Sequence, residues 1–275
     1  MNTLTPLRYP GGKTKLFIKV SNIINYNNLQ GCTYAEPFVG GAGLAIKLLD
    51  ENIVNNLIIN DFDYHIYCFW YCVIHHTDEL IKFIQLTPIT LEEREHQKTI
   101  YNTPQKYSLI EVAFSTLYLN RTNRSGVLKA GPIGGQKQNG KYLIDCRFNK
   151  EKIIEKVEHI SHYRNHIEIY NLDALEFIEI LNQHQEQIFI NFDPPYYNKG
   201  SELYTNFFVD SDHIRLKEAI DNIQYPWITT YDNCEFIYNL YANYRNELLS
   251  LTYTAGKPKR GEELLFYSNN LEIPQ

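Results

Sequence analysis

Thr33-Tyr34-Ala35-Glu36-Pro37-Phe38-Val39-Gly40-Gly41-Ala42-Gly43 is the stretch on which the fold turns. It reads as a short strand, Thr33 to Phe38, running into a glycine-rich turn, with a helix-like run from Leu44 to Leu49 directly after it. Next comes Asn56-Leu57-Ile58-Ile59-Asn60-Asp61, a second buried strand with an acid at its carboxyl end, and then an aromatic helix from about Tyr64. Strand, glycine turn, helix, strand, terminal acid is the opening of a doubly wound parallel sheet. The same rhythm returns later. Ile167 to Tyr170 reads as a strand ending near Asp173, Ala174 to Leu181 as a helix, and Ile188 to Phe192 as a strand. His213 to Ile223 is helical, Trp227 to Thr230 a strand, and Glu247–Tyr253 pairs with Glu263–Tyr267 in a terminal hairpin.

Between these halves, from about Thr77 to Arg164, the alternation is lost. Glu111 to Leu119 is helical, whereas Asn120 to Asp145 is rich in Gly, Asn, Gln and Lys and reads as a hairpin or long surface loop. The expected division is therefore a catalytic α/β portion, residues 1–76 and 165–275, interrupted by an insert at 77–164. Charge follows this division. The chain carries a net charge of -6. From Arg94 to Arg164, however, 13 Lys or Arg stand against 6 Asp or Glu. A basic module in an acidic chain is what contact with phosphates requires.

The 275 residues suffice for a full core, and no apolar run has the length of a membrane span. Met1-Asn2-Thr3-Leu4-Thr5-Pro6 lacks a signal-peptide pattern, and five scattered cysteines suit reduced thiols, so a cytoplasmic setting is expected. No metal-ligand cluster is readable. His75 and His76 are adjacent and diverge in regular structure.

Ligands of parallel sheets bind beyond the carboxyl ends of the strands. Three features fall there: the Phe38–Gly43 turn, Asp61, and Asp193-Pro194-Pro195-Tyr196 after the strand Ile188–Phe192. The glycine turn lets a ligand approach the backbone, and Asp61 is placed to accept bonds from ribose hydroxyls. Proline cannot continue a central strand, so the chain must turn at Pro194. A carboxylate, a carbonyl and an aromatic face then share one rigid corner, the equipment for gripping a flat molecule with an amino group. Neither a dinucleotide Gly-x-Gly-x-x-Gly nor a phosphate loop is present, because Gly11-Gly12-Lys13-Thr14 lacks the first glycine.

Tyr9-Pro10-Gly11-Gly12-Lys13, Glu36 through Gly43, and Asp193-Pro194-Pro195-Tyr196, in that order, resemble the Dam-type (alpha-group) DNA adenine-N6 methyltransferases that use S-adenosylmethionine. Tyr118-Leu119-Asn120-Arg121 with Gly126, and Arg260-Gly261-Glu262-Glu263-Leu264-Leu265, are similar too. The resemblance implies a Rossmann-like methyltransferase sheet with an inserted, mostly helical DNA-recognition domain carrying a hairpin. Its implied substrate is double-stranded DNA, without a membrane, and its implied methyl donor is S-adenosyl-L-methionine.

By the same resemblance, Tyr9, Gly12 and Lys13 flank the cofactor. Glu36, Pro37, Phe38, Gly40, Gly41 and Gly43 wrap its methionine part, Asp61 holds the ribose, and Asp173 lies near the adenine. Asp193 sits where cofactor and target meet. Asp193 and the Pro194 carbonyl take the hydrogens of the target amine, and Pro195 and Tyr196 complete the corner, with Tyr196 stacking on a flipped base. Lys129 falls where the family has a guanine-contacting basic residue. Arg121, Arg124, Lys137, Lys141, Arg147, Lys257, Lys259 and Arg260 are expected on DNA, most of them at phosphates. Arg124 stands where enzymes of the Gly-Ala-Thr-Cys class have an aromatic, so the resemblance gives no recognition sequence. It also leaves open whether a restriction endonuclease accompanies the chain, and its oligomeric state. The competing readings are another amino acceptor (cytosine N4, RNA adenine or a glutamine amide) and a DNA-binding protein on the same fold without catalysis.

Overall fold

The computed structural model describes residues 3–9, 13–198, 208–253 and 259–274, with the backbone alone at 251–253 and 259–260. Gly12 and Lys257 lie outside the described residues, as do the side chains of Lys259 and Arg260.

After a 3-10 turn at Lys13–Leu16 the chain forms α1 (Phe17–Tyr26), β1 (Thr33–Glu36), α2 (Gly43–Asp50) and β2 (Asn56–Asn60). A helical run follows: α3 (Tyr64–His75), α4 (Thr77–Leu86), α5 (Leu91–Asn102), α6 (Leu109–Thr122) and α7 (Lys150–Ser161). Alternation resumes with β3 (Ile167–Tyr170), α8 (Ala174–Leu181), β4 (Ile188–Phe192), α9 (Asp210–Asp221), β5 (Trp227–Asp232) and α10 (Glu235–Leu240). The hairpin β6 (Arg245–Tyr253) and β7 (Lys259–Tyr267) ends it.

The described strands make one seven-stranded sheet in the order β3-β2-β1-β4-β5-β7-β6. β1 runs parallel to β2 and β4, and β4 runs parallel to β5. β7 lies antiparallel between β5 and β6. Strand order reverses at the β1–β4 pair, which opens the ligand crevice beyond their carboxyl ends. This is the Rossmann-like arrangement expected from the alternating segments.

Two compact units make up the chain: residues 1–12 with 64–169, and residues 13–63 with 170–275. Residues 1–12 and 64–76, grouped with the catalytic portion by sequence, thus fall in the first unit. In the second unit β1, β4 and β5 are buried along their whole length, because helices cover both faces of a parallel sheet. One face packs Ile190, Phe192 and Trp227 against Phe177 and Leu181 of α8 and Leu216 and Ile220 of α9. In the first unit, α6 opens with a capping box between Ser108 and Glu111 and is buried from Val112 to Asn120. A helix buried on all sides is the centre of its bundle.

Of the two forms expected for the segment after α6, a hairpin or a long surface loop, the structure has the loop. In place of a strand ladder it has a 3-10 turn at Arg124–Gly126, a single antiparallel bridge Asn123↔Pro132, and successive turns. Gly126, Gly131, Gly134, Gly135 and Gly140 interrupt any run long enough to pair, and Gly126, Gly134 and Gly135 have positive φ. The five cysteines are free thiols, with Cys146 exposed. No helix among the described residues is long and apolar enough to cross a membrane.

Candidate active site

β4 stops at Phe192 because the next residues cannot continue the ladder, and the chain turns through Asp193 and two buried prolines. Asp193 Oδ1 accepts bonds from Lys13 Nζ at 2.8 Å and from Thr230 Oγ1 of β5 at 2.9 Å. The Asp193 side chain keeps 23% of its surface exposed, whereas Lys13 keeps 4%. Lys13 Nζ also donates to the Tyr196 phenol at 2.8 Å and lies 3.3 Å from the Glu263 carboxylate. The same phenol donates to Glu263 Oε1. Tyr196 is only 3% exposed, so its hydroxyl serves this cluster. Past the corner, Asp232 accepts the backbone N–H groups of Tyr197 at 2.8 Å and Asn198 at 2.9 Å.

Burial alone would push the Lys13 ammonium down, but Asp193 and Glu263 outweigh it and hold its pKa above the ordinary value. The Asp193 carboxyl is pushed up by burial and by Glu263, against the opposing pull of Lys13 and Thr230. Glu36 is 5% exposed and accepts bonds from Tyr34 Oη at 2.8 Å and Asn191 Nδ2 at 3.3 Å. Burial dominates those bonds and drives it up to about 8, a neutral acid at pH 7.

The glycine turn after β1 passes through left-handed backbone at Gly40 (φ 45) and Ala42 (φ 49). For Ala42 that conformation costs about 1 kcal/mol, which the surroundings must supply. Part of the restraint is Asp61: Oδ2 accepts the Gly40 N–H at 2.8 Å and Oδ1 the Asp63 N–H at 2.9 Å. Burial, then the Asp63 charge, push Asp61 up to about 7. Asn60 laces three strand ends together. Its Nδ2 donates to the Pro37 and Leu172 carbonyls, each at 3.0 Å, and its Oδ1 accepts the Leu172 N–H at 2.9 Å. Gly41 and Pro37 are buried, and Phe38 and Gly43 are half-buried. Asp173 is exposed and caps α8 through the Leu175 N–H at 2.9 Å.

Within the second unit, then, Lys13, Glu36, Asp193 and Tyr196 share one polar cluster, while Gly40 and Asp61 share another at the turn. Sequence reasoning missed four residues here. Glu263, Thr230 and Asp232 secure the corner, and Phe62 stands 56% exposed beside Asp61 with its carbonyl held by Asn171 at 3.2 Å. Asp232 carried a usable signal, an acid at the end of a buried strand, the same one that marked Asp61. Glu263 carried only its place in a C-terminal motif.

Tyr9 belongs to the first unit and is half-buried. That unit gathers cations. Arg8 is pinned by Asn120, which accepts the Arg8 N–H at 2.7 Å and donates to its carbonyl at 2.9 Å. A side chain at Gly126 would collide with the Arg8 carbonyl, so glycine there is required. Arg121 reaches the Arg147 carbonyl at 3.4 Å, and Lys156 of α7 the Thr5 carbonyl at 3.1 Å. Burial and the neighbouring Arg8 and Arg147 lower Arg121 to about 10, and Arg8 and Lys156 are lowered by burial and by Arg147 and Arg121 respectively. Among the described residues no carboxylate pairs with Arg8, Arg121, Arg147 or Lys156. Arg124, Lys129, Lys137, Lys141 and Arg147 are exposed.

The loop bearing Arg124 and Lys129 is nevertheless built on buried bonds. Arg94, 3% exposed, donates to Asn123 Oδ1 at 2.8 Å and to the Ala130 carbonyl at 2.9 Å. Asn123 donates in turn to Leu128 O at 2.8 Å, and Asn120 to Gly126 O at 3.0 Å. The conformation is thus fixed from beneath while its basic side chains face outward.

A parallel sheet with one antiparallel hairpin, a glycine turn at its switch point and an Asp-Pro-Pro-Tyr corner beside it define a Rossmann-like methyltransferase. The profile of the D12 class N6 adenine-specific DNA methyltransferases matches residues 9–254, and the chain belongs to that family. Its reaction is methylation of adenine N6 in DNA, and enzymes of this class take the methyl group from S-adenosylmethionine. The chain is 24% identical over 231 residues to a type II methyltransferase, M.MjaIII, of Methanocaldococcus jannaschii, an alignment covering 76% of each. It also aligns with a crystal structure from Pyrococcus horikoshii of a protein proposed to be an RNA methyltransferase. There the TM-score is 0.45 at 9% identity, covering 95% of this chain and 84% of that one.

Proposed function

We propose that Asp193 and the Pro194 carbonyl accept the two N6 hydrogens of a target adenine taken out of duplex DNA, with Tyr196 as the aromatic wall of the corner. An adenine amino nitrogen shares its lone pair with the ring and is a poor nucleophile. Two acceptors aimed at its hydrogens pull it toward tetrahedral geometry and expose that pair, so positioning and electrostatics carry the acceleration. The observation that supports this reading best is the restraint on Asp193: Lys13 and Thr230 hold its carboxylate while Asp232 holds the backbone just past it. A carboxylate so fixed reorganises little as the nitrogen changes geometry.

The donor set on the other side of the corner suits S-adenosylmethionine, which supplies a methyl group on a sulfonium. Asp61, poised at about 7, fits a ribose diol; the exposed Phe62 ring fits an adenine face; and the Glu36–Gly43 turn, with buried Gly40 and Gly41, brings backbone close to the amino-acid part. Lys13 holds Asp193 from behind in this reading. On the DNA side, Arg8, Arg121, Arg147 and Lys156 repel one another in the free protein, a cost that phosphate relieves, and Arg124 and Lys129 are the base readers.

Asp193→Asn tests the assignment. The variant is expected to bind DNA and S-adenosylhomocysteine like the parent and to lose methyl transfer to plasmid DNA by at least about a thousandfold. Turnover near the parent's rate would remove Asp193 from the chemistry.

A further inference from the structure

Methylation leaves a problem the corner must solve, because N6 begins with two hydrogens and ends with one. The proton leaves as the lone pair forms the new C–N bond and the S–CH3 bond breaks with its electron pair kept by sulfur. Asp193 is the base in reach of N6 in the proposed reading, but a carboxylate salt-bridged to a lysine is a weak one. Lys13 alone, 2.8 Å away, would hold Asp193 ionised and poorly basic.

Glu263 changes that. It rises from β7 opposite Asp232, its side chain has 0% exposure, and it meets the same ammonium at 3.3 Å. It also holds the Tyr196 phenol, to which Lys13 donates as well. One lysine is therefore shared between two carboxylates, and the buried one lies at the back of the corner. Among the described residues, Thr230 from β5, uncharged, and Glu36 with Tyr34 from β1 also face this cluster, and Glu36 is mostly neutral at pH 7.

We propose that Glu263 is the positioning residue that makes Asp193 a proton acceptor: by sharing Lys13 and anchoring Tyr196 it keeps negative charge at the corner, which favours the sulfonium before transfer and receives the N6 proton on Asp193 afterwards. The proposal rests on the assignment of Asp193 given above. The two charges act at different moments. Before transfer the ligand is cationic and a negative corner holds it; afterwards the ligand is neutral and the proton has taken its place on the protein. The direction of the Asp193 shift agrees, since burial and Glu263 raise it against Lys13.

The deciding experiment compares binding of S-adenosylmethionine and S-adenosylhomocysteine, by calorimetry from pH 5.5 to 8.5, in the parent and in Glu263→Gln. The two ligands differ by the sulfonium, so their affinity ratio cancels contributions from Asp61 and from the ligands' shared groups. In the parent the ratio should favour the sulfonium increasingly as pH rises. Glu263→Gln should reduce that preference roughly three- to tenfold with S-adenosylhomocysteine affinity unchanged, which also reports an intact fold. Its kcat should fall at least about tenfold with KM for DNA unchanged, and the acid limb of kcat should move to lower pH by about one unit. Glu263→Asp should restore part of each effect.

If Glu263→Gln does not fold, the parent's own ratio decides: a ratio flat across this range overturns the proposal. A folded Glu263→Gln with the parent's ratio and acid limb also overturns it. Failure of the underlying reading looks different, because Asp193→Asn would then stay active whatever Glu263 does.

Discussion

Asp232 Oδ1 accepts the backbone N–H of Tyr197 at 2.8 Å, and Oδ2 takes the next N–H, that of Asn198. Both residues lie just past the Asp-Pro-Pro-Tyr corner, so one carboxylate at the end of β5 fixes the exit of the turn that begins at the end of β4. Asp232→Asn retains the shape but replaces one acceptor with a donor, leaving an N–H without its partner. A lost buried bond of this kind costs about 1–3 kcal/mol. Because both oxygens are taken up by the backbone of the corner, kcat should fall roughly ten- to a hundredfold with KM for DNA little changed. Steady-state kinetics that moved only KM would refute this.

Thr230→Val removes the second bond to Asp193 Oδ1 with almost no change of volume. About 1 kcal/mol of positioning is lost, so kcat should drop several-fold while thermal stability shifts by less than the corner's other restraints supply. Paired with Asp232→Asn in a double-mutant cycle, the effects should be non-additive, since both act on one turn.

Glu36 gives a pH signature in the ligand-free protein. Its folded pKa, about 8, lies above its ordinary value of 4.5. A carboxyl raised by burial contributes stability that is fully present below 4.5 and is lost as pH rises through about 8. The loss across that window is on the order of a few kcal/mol. Thermal melts of the parent should therefore decline from pH 4.5 to 8 more steeply than those of Glu36→Gln, in which this group no longer titrates. Parallel curves for the two proteins would contradict the assignment.

Much of this site could be read from residue order because its signals are local. A strand ending in an acid, a glycine turn and a proline corner are each written in consecutive residues, which is why Asp61, Gly40 and Asp193 could be placed at strand ends, where the structure has them. The sheet followed for the same reason, since covered parallel strands such as Ile188–Phe192 are apolar throughout. The contacts of Glu263 and Thr230 with the corner could not be read, because they depend on β7 inserting antiparallel beside β5, and nothing within either strand states its neighbour. The segment from Asn120 to Asp145 was legible only as far as two alternatives, a hairpin or a long surface loop, and the structure has the loop. Glycine and polar residues suit either form, and the loop's order comes from Arg94, Asn120 and Asn123, most of whose partners are backbone groups that carry no sequence mark.

Arg94 should consequently control recognition without touching DNA. Arg94→Gln leaves the Ala130 carbonyl and Asn123 short of donors, and losing such buried charge-assisted bonds costs about 2–4 kcal/mol. The loop carrying Arg124 and Lys129 then samples other conformations. The expected result, on mapping N6-methyladenine across a methylation-free host genome, is relaxed or partial methylation of the parent's motif. Full methylation of that motif alone, at the parent's rate, would show that the loop does not need this support.

Arg121 makes the sharpest test of the cation cluster, because its two effects have opposite signs. Its Nε is buried without a hydrogen-bond partner among the described residues, and burial, then Arg8 and Arg147, push its pKa down. Replacing it with glutamine removes a repelled charge, so folding stability should hold or rise, by up to about 1 kcal/mol. DNA affinity should fall, and the slope of log affinity against log salt should become shallower by about 0.9, one phosphate contact fewer. Lys156→Gln should behave the same way on a smaller scale, and the two substitutions together should not sum in stability, since relieving one repulsion weakens the other. A purely structural arginine would give the reverse pattern, a destabilised protein with an unchanged salt slope.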